Sequence, residues 1–268
     1  MSPSPTHLVL LPTYNTGPRL HEVVLEVLRH WPHVLVVVDG STDGSAHAVI
    51  AHAATEPNLQ VLVLPRNAGK GAAVLAGARV ARARGFTHAL LMDADGQHPA
   101  TSIREFMHAS QREPLALILG RPVFPANIPP ARLHGRKLSV WLVHLELLGA
   151  GVADPLFGFR VVPLAPLLAV LGPRRDGRRY DFDTASAVRL SWAGVPTRNR
   201  PAPVRYFSAA EGGVSHFRYL RDNITQVGLH LRLLAELLLW RWPAVLAARR
   251  RLAAHRPDEI PTANQILP

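Results

Sequence analysis

Apolar positions come in short continuous runs along the first 120 residues, and each run ends in a polar cluster. "HLVLLP" (residues 7–12) is such a run, as are "HVLVVVD" (33–39), "LQVLVLP" (59–65), "THALLMD" (87–93) and "LALILG" (115–120). Runs of this length without strict alternation suit strands buried on both faces of a parallel sheet. Between them the period changes. "PRLHEVVLEVLRHW" spaces its apolar residues for a helix, with Pro18 near the first turn. "DGSAHAVIAHAA" predicts a second helix with Asp43 or Ser45 as cap, "GKGAAVLAGARVARARG" a third closed by Gly85, and "ATSIREFMHASQR" a fourth. Strands alternating with helices of this length predict βαβ units: an α/β, Rossmann-like, mostly parallel sheet with helices on both faces.

After Gly120 the rhythm changes. "RPVFPANIPPARLHGR", rich in proline and arginine, predicts a loop over the carboxyl edge of the sheet. "KLSVWLVHLELLGAG" predicts a helix, "DPLFGFRVVP" a short strand, "DFDTASAVRLSWAG" a helix and "VPTRNRPAPVRYF" an edge strand carrying prolines. Residues 217–251 predict one long helix or two, rich in Leu, Trp and Arg, and "AHRPDEIPTANQILP" predicts a disordered tail. The expected division is a domain at 1–216, a basic amphipathic helical segment at 217–252 and the tail at 253–268.

Composition permits this. The chain has 268 residues, 48% of them apolar, enough for one sizeable core plus an appendage. It has no cysteine, so disulfides and thiolate metal sites are excluded; the zero count fits a reducing cytoplasm. "MSPSPTHLVLLPTYN" has no basic n-region and does not read as a signal peptide. The net charge of +11 points to an anionic partner: nucleic acid, an acidic membrane surface or a phosphorylated substrate. Nucleic acid is disfavoured, because aromatic residues are only 6% of the chain and no nucleic-acid motif is present.

Ligands of open α/β sheets bind outside the carboxyl ends of the strands. Four polar clusters fall there: Thr13-Tyr14-Asn15, Asp39 to Asp43, Arg66 to Lys70, and Asp93 to His98. If the strand's alternation continues, Asp93 and Asp95 project to one side, where two carboxylates repel unless a cation lies between them. A hard divalent ion, Mg²⁺ or Mn²⁺, resolves this with oxygen ligands from the protein and from a substrate phosphate, and Gln97 offers a further amide oxygen. The competing reading is a pair of turn aspartates, since "DADG" is turn-rich. Lys70 in "NAGKG" does not complete a P-loop. With the backbone N–H groups of a helix start it could still face a diphosphate, or it could be a solvated lysine. His98 fits either the reaction centre or a satisfied loop position.

Taken together, "LLPTYNTGPRL", "VVVDGSTDGS", "RNAGKGAAVLAGARVARARGFTHALLMDADGQHP" and "DPLFGFRV" resemble the family 2 glycosyltransferases of the GT-A fold, over about residues 7–225. The nearest branch resembles the polyprenyl-phosphate sugar synthases related to dolichyl-phosphate mannose synthase. "GGVSHFRYLRDN" is similar to a bacterial subgroup encoded beside acyltransferase and aryl-polyene genes. The resemblance implies that Pro12, Tyr14 and Asn15 line the nucleotide pocket, with Asp39 on the base or ribose. Asp93 and Asp95, with Gln97, would hold the metal on the donor diphosphate. Arg121 and Arg132 would meet an acceptor phosphate, Arg160 in "FGFR" takes the place of the family's "SGFR" arginine on the acceptor side, and Arg205, Ser215 and His216 would close over the donor. Two departures stand out: Val38-Asp39 replaces paired aspartates, and Ala185 stands where the subgroup carries Glu. A hydroxyl acceptor needs a base and a phosphate acceptor does not, so the second departure leans toward a phosphate. Asp183 remains as a base or as a helix cap.

The expected activity is inverting, metal-dependent transfer of a sugar from a UDP- or GDP-sugar to a polyprenyl-phosphate-like acceptor. The alternatives are transfer to a lipid or polyene hydroxyl and a non-catalytic nucleotide-binding protein. In "VGLHLRLLAELLLWRWPAVLAARRR" charges interrupt the apolar run too soon for a span of ~20 residues. Trp at the boundary and Arg on the polar side predict an interfacial helix instead, hence a peripheral protein on the anionic cytoplasmic face of the cell membrane. The competing reading is a helix packed on the catalytic domain.

Overall fold

A computed structural model describes residues 5–124, 130–149, 151–205 and 219–254, with side chains described for 5–124, 136–149, 151–205 and 221–250. Seven strands form one sheet: β1 (His7–Thr13), β2 (Val34–Asp39), β3 (Leu59–Leu64), β4 (His88–Leu91), β5 (Leu117–Val123), β6 (Arg160–Pro163) and β7 (Thr197–Pro203). Their order is β3-β2-β1-β4-β6-β5-β7, with β6 antiparallel to both neighbours and the other pairings parallel. Since β6 runs backwards, its first residue, Arg160, lies at the same edge as the carboxyl ends of the others.

The sheet is covered on both faces, as its apolar runs predict. Alternate residues of β1 go to opposite sides: Val9 and Leu11 pack with helix α1 (Arg19–His30), α2 (Ala46–Ala53) and α4 (Ile103–Arg112), where Leu20, Val49 and Phe106 are buried. Leu8 and Leu10 pack with α3 (Lys70–Ala83), α6 (Leu164–Leu171) and α7 (Phe182–Trp192). A single 3₁₀ turn (Ala100–Ser102) leads into α4.

Three elements differ from the sequence pattern. β5 continues past Gly120 to Val123, because β7 pairs with it in parallel out to Pro203. α5 (Pro130–Glu146) begins seven residues before the expected Lys137, with Pro130 at its first position, where a missing N–H costs nothing. α6, "LAPLLAVL", has no polar face to reveal a period and so left no helical signature. β7 is the expected edge strand, and Pro201 and Pro203 are tolerated there.

The C-terminal segment forms α8 (Tyr219–Glu236), a π turn (Leu237–Arg241) and α9 (Trp242–Ala254). The π turn ends two residues before Pro243, which has no N–H to donate a helical hydrogen bond. Leu229, Leu233, Leu237 and Val245 join the same apolar cluster as Leu8 and Leu10, so these helices share the core of the sheet. No helix among the described residues is long and apolar enough to cross a membrane.

His7 and His88 face each other in the β1–β4 register and stack at 4.4 Å. His7 Nε2 meets Ser110 Oγ at 3.1 Å, and His88 Nε2 donates to the Pro114 carbonyl at 2.7 Å. Burial, and then the neighbouring His88, lower the His7 pKa from 6.5 to about 4; burial also lowers that of His88, against the Pro114 hydrogen bond. A depressed His pKa means the unfolded chain binds more protons between the two values. Stability from this pair is therefore full at neutral pH and declines as pH falls from 6.5 toward 4. The melting temperature should fall over that window, and His7→Gln should flatten the fall. A variant whose profile parallels the parent's would refute the assignment.

Candidate active site

The polar clusters meet at the carboxyl edge of the sheet, beginning with the loops after β1 and β2. Asn15 adopts φ +47°, and its side-chain oxygen accepts the Thr42 N–H at 2.7 Å. The Asn15 N–H in turn donates to Ser41 Oγ at 3.0 Å, and the Gly17 N–H to Asp43 at 3.0 Å. Tyr14 and Asn15 are half-buried beside this tie, whereas Pro12 is buried within β1 opposite Val37. Asp39 is only 2% exposed, and its two oxygens accept the N–H groups of Ala68 and Gly69, both at 2.8 Å. It anchors the loop leading into α3, and a nucleotide contact would compete with those bonds.

The start of α3 is partly covered by the chain itself. The Ala72 N–H donates to the Arg178 carbonyl at 2.9 Å, and the 177–179 segment lies across the helix start. Only glycine fits at 71: a Cβ there would stand 2.1 Å from the Gly177 carbonyl oxygen. What α3 contributes is Lys70. Its ammonium lies 2.7 Å from Asp93 Oδ1 and 2.7 Å from Asp183 Oδ2. Burial alone would lower the Lys70 pKa, but Asp183 and Asp93 beside it raise it, so the ammonium is firmly charged.

β4 ends at Leu91, so Asp93 and Asp95 sit in the turn beyond it, which Gly96 completes at φ +80°. The strand alternation expected to place them on one side therefore stops before them, and their backbone is that of a turn. Burial acts to raise the Asp93 pKa, but Lys70 and His98 outweigh it and hold the carboxyl well below the usual range. For Asp95 burial and the Asp93 charge win, and its pKa is raised. The Gln97 N–H donates to Asp95 Oδ1 at 3.0 Å, and the Gln97 carbonyl accepts the Arg205 N–H at 3.0 Å. His98 is 7% exposed, with Nε2 3.6 Å from Asp93 Oδ2 and its ring against Phe157 at 4.8 Å.

α7 brings Asp183, 5% exposed, into the cluster. It is not the cap: Asp181 precedes the helix, and its carboxylate accepts the N–H groups of Gly177 and Arg179. Ala185 is fully buried against Gly177, so the acid that α7 turns toward Lys70 is at 183. Arg160 is 0% exposed. Its guanidinium donates to the carbonyls of Phe157, Pro155 and Asp183 and to Ser186 Oγ, and lies 3.5 Å from Asp183 Oδ1. It braces the loop before β6 and Asp183 from behind, and a phosphate would reach it only by displacing those partners. Arg121 is exposed near the end of β5, one residue beyond Gly120, which packs against Phe157. Arg132 falls in α5, but its side chain lies outside the described residues, as do Ser215 and His216.

Two contributors are not among the expected site residues, although Gly158 lies within the "FGFR" string. Gly158 lies so close to the cluster that a Cβ would stand 2.7 Å from Asp93 Oδ2 and 2.9 Å from Lys70 Nζ. Tyr180 feels the charges of Asp222, Lys70, Asp93 and Asp95, with burial foremost in raising its pKa. Among the described residues no three His, Asp or Glu side chains converge as a complete metal site. The oxygen donors present, Asp93, Asp95 and Gln97, suit a hard cation whose remaining ligands come from elsewhere, as a donor diphosphate would supply.

Comparison with known proteins agrees with this geometry. The glycosyl transferase family 2 profile matches residues 8–162. The chain is 30% identical over 200 residues to a polyprenol monophosphomannose synthase of Mycolicibacterium smegmatis, covering 72% of this chain and 73% of that protein. It is 28% identical over 197 residues to an undecaprenyl-phosphate mannosyltransferase of Micrococcus luteus, covering 70% and 78%. The fold is shared with a mannosyltransferase of Pyrobaculum calidifontis solved with GDP-Man and Mn²⁺ (TM-score 0.57, 22% identity, 99% of this chain and 81% of that one). It is shared too with glucosyl-3-phosphoglycerate synthase of Mycobacterium tuberculosis, solved with Mn²⁺, UDP-glucose and phosphoglyceric acid (TM-score 0.57, 18% identity, 88% and 79%). A GT-A sheet with a carboxylate turn at its carboxyl edge, a family profile over residues 8–162 and a relative 30% identical over 72% of the chain make this chain a member of glycosyl transferase family 2, a glycosyltransferase.

Proposed function

We propose that this glycosyltransferase moves a sugar from a nucleotide diphosphate sugar to a polyprenyl-phosphate-type acceptor, with inversion, using a divalent cation held by Asp93, Asp95 and Gln97. The observation that carries the reading is the closeness of Asp93 and Asp95 in the turn at the carboxyl edge of the sheet, where burial and the Asp93 charge raise the Asp95 pKa, a repulsion that a cation between them would relieve. The names of the relatives support the acceptor class. Charge gathering on the leaving diphosphate is what a bound cation would neutralise. Tyr14 and Asn15 would line the nucleoside, the carboxylates would orient the diphosphate, and Lys70 would fix the Asp93 rotamer through Oδ1.

The acceptor oxygen would attack the anomeric carbon from the face opposite the leaving group. Asp183 is buried and bound to Lys70, so it is badly placed to take a proton from a hydroxyl. An acceptor already ionised as a phosphate needs no such base, and exposed Arg121 is suited to meet it. Such an acceptor resides in a membrane, so the enzyme would work peripherally, at the cytoplasmic face.

Calorimetry with UDP and with GDP, each with and without Mn²⁺, tests the cation. At least one nucleotide should bind about tenfold or more tighter with Mn²⁺, a difference of ~1.4 kcal/mol. Asp95→Ala should abolish that difference; equal affinity with and without Mn²⁺ would sink the metal role. Gly158→Ala places a methyl group against Asp93 and Lys70, so it should lose much of the Mn²⁺-dependent affinity while melting within a few degrees of the parent. Unchanged binding would show that Asp93 takes no part. Arg121→Ala should raise the KM for a polyprenyl phosphate and leave nucleotide affinity intact; an equal loss of both would remove Arg121 from the acceptor side.

A further inference from the structure

The C-terminal helices pack by one face only. Leu229, Leu233 and Leu237 are buried inward, yet the outward face of α8 is also apolar: Ile224, Val227 and Leu231 are 57–64% exposed. The row continues past the π turn with Leu238, Trp240 and Trp242, which are 51–73% exposed. The neighbouring helix α5 repeats the pattern. Leu138, Trp141 and Leu145, spaced for one helix face, are 45–60% exposed. His230 of α8 meets Glu146 of α5 at 2.6 Å, and Arg249 of α9 packs against Gly149 just beyond α5. Ten of the fifteen exposed large apolar side chains among the described residues lie on these helices. A monomer rarely leaves apolar residues concentrated in this way without a use for them.

The charges say what covers them. Every carboxylate described on α5, α8 and α9 is turned inward: Glu146 is 0% exposed, Glu236 6% and Asp222 7%. Glu236 is held by Arg189 and Arg174, and Glu146 by His230. The exposed charges on the same helices, Lys137, Arg221, Arg232, Arg249 and Arg250, are all cations. Pressing two copies of this face together would crowd like charges, since the exposed charged groups on it are all cations, of which Arg232 already has Asp176 at 3.8 Å. An anionic bilayer takes both features at once, apolar side chains and indoles in the acyl boundary and cations among the headgroups.

We propose that the outward faces of α5, α8 and α9 together form one docking surface for an anionic lipid bilayer. The catalytic domain itself, through α5, is then part of the membrane contact. This goes beyond an anchoring tail: α5 and α8 both pack on the sheet, so the active-site edge is held in a fixed orientation to the lipid. It rests on the proposed lipid acceptor for its purpose, but not for its test.

The test is co-sedimentation of the full chain with vesicles of phosphatidylcholine alone or with about a third phosphatidylglycerol, at low and high salt. The protein should bind the anionic vesicles at least ~tenfold better than the neutral ones, and salt should weaken that binding without abolishing it. Trp240→Glu and Trp141→Glu should each lower binding about fivefold or more, with unchanged melting temperature and nucleotide affinity, since both side chains are exposed. Failure to bind anionic vesicles, or a Trp141→Glu variant that binds like the parent, would overturn the proposal. So would a concentration-dependent dimer that Trp240→Glu dissociates. Binding to vesicles by a protein with no Mn²⁺-dependent nucleotide affinity would instead overturn the proposed function and leave this surface standing.

Discussion

An exchange of charge at the carboxyl edge of the sheet, buried at Asp183 and Arg160 and half-buried at Lys70 and Asp93, ties four elements together. The Lys70 ammonium bridges Asp93 and Asp183, and Arg160 stands behind Asp183 with no exposure of its own. These residues come from the start of α3, the turn after β4, the start of β6 and the first turn of α7. Removing ions from water is costly, and each of these is tolerable only because the others are in place. Deleting one member of a buried pair typically costs about 3–5 kcal/mol, because its partner is left uncompensated. The cluster therefore fixes the relative positions of four elements, and with them the Asp93 carboxylate.

The rest of the edge follows from that arrangement. Asp39 uses both oxygens to hold Ala68 and Gly69, which sets the entry into α3 and so the reach of Lys70. Asn15 joins the loops after β1 and β2 through its side-chain oxygen. Gly71 lets backbone approach α3, and Gly158 leaves room for the Asp93 carboxylate and the Lys70 ammonium to meet. Asp93 and Asp95 then differ sharply in proton affinity although only one residue separates them: one is beside an ammonium, the other is beside a carboxylate. That inequality is a property of the neighbours rather than of the motif.

The C-terminal helices show the same economy of charge on a larger scale. Arg189 pairs with Glu236 and Asp176, and His230 with Glu146, so the charged groups that dock α8 on α5 and α7 are paired inside, although Glu146 Oε2, Arg189 Nε and His230 Nε2 are buried without a hydrogen-bond partner. Their use inside leaves cations and apolar side chains outside. The reading of this segment as a helix packed on the domain describes its inward face; its outward face is the one proposed to meet lipid.

The sequence alone determined the alternation of strands and helices, the burial of the sheet on both faces and the placing of the polar clusters at one edge. Each follows from local periodicity and from the rule that ligands gather at strand ends. It also showed the family, because "DADGQHP", "NAGKG" and "FGFR" are local strings. What each side chain touches was decided by tertiary structure. Lys70 and Asp183 are 113 residues apart in sequence, and no periodicity joins them. Arg160 looks from its motif like an acceptor contact, yet the loop before β6 and the start of α7 enclose it. α6 escaped notice because a helix apolar all round has no amphipathic period, and the early start of α5 because its prolines read as a loop. Pattern reveals what a segment prefers locally; which charges meet in a buried site depends on packing between segments that only the folded chain brings together.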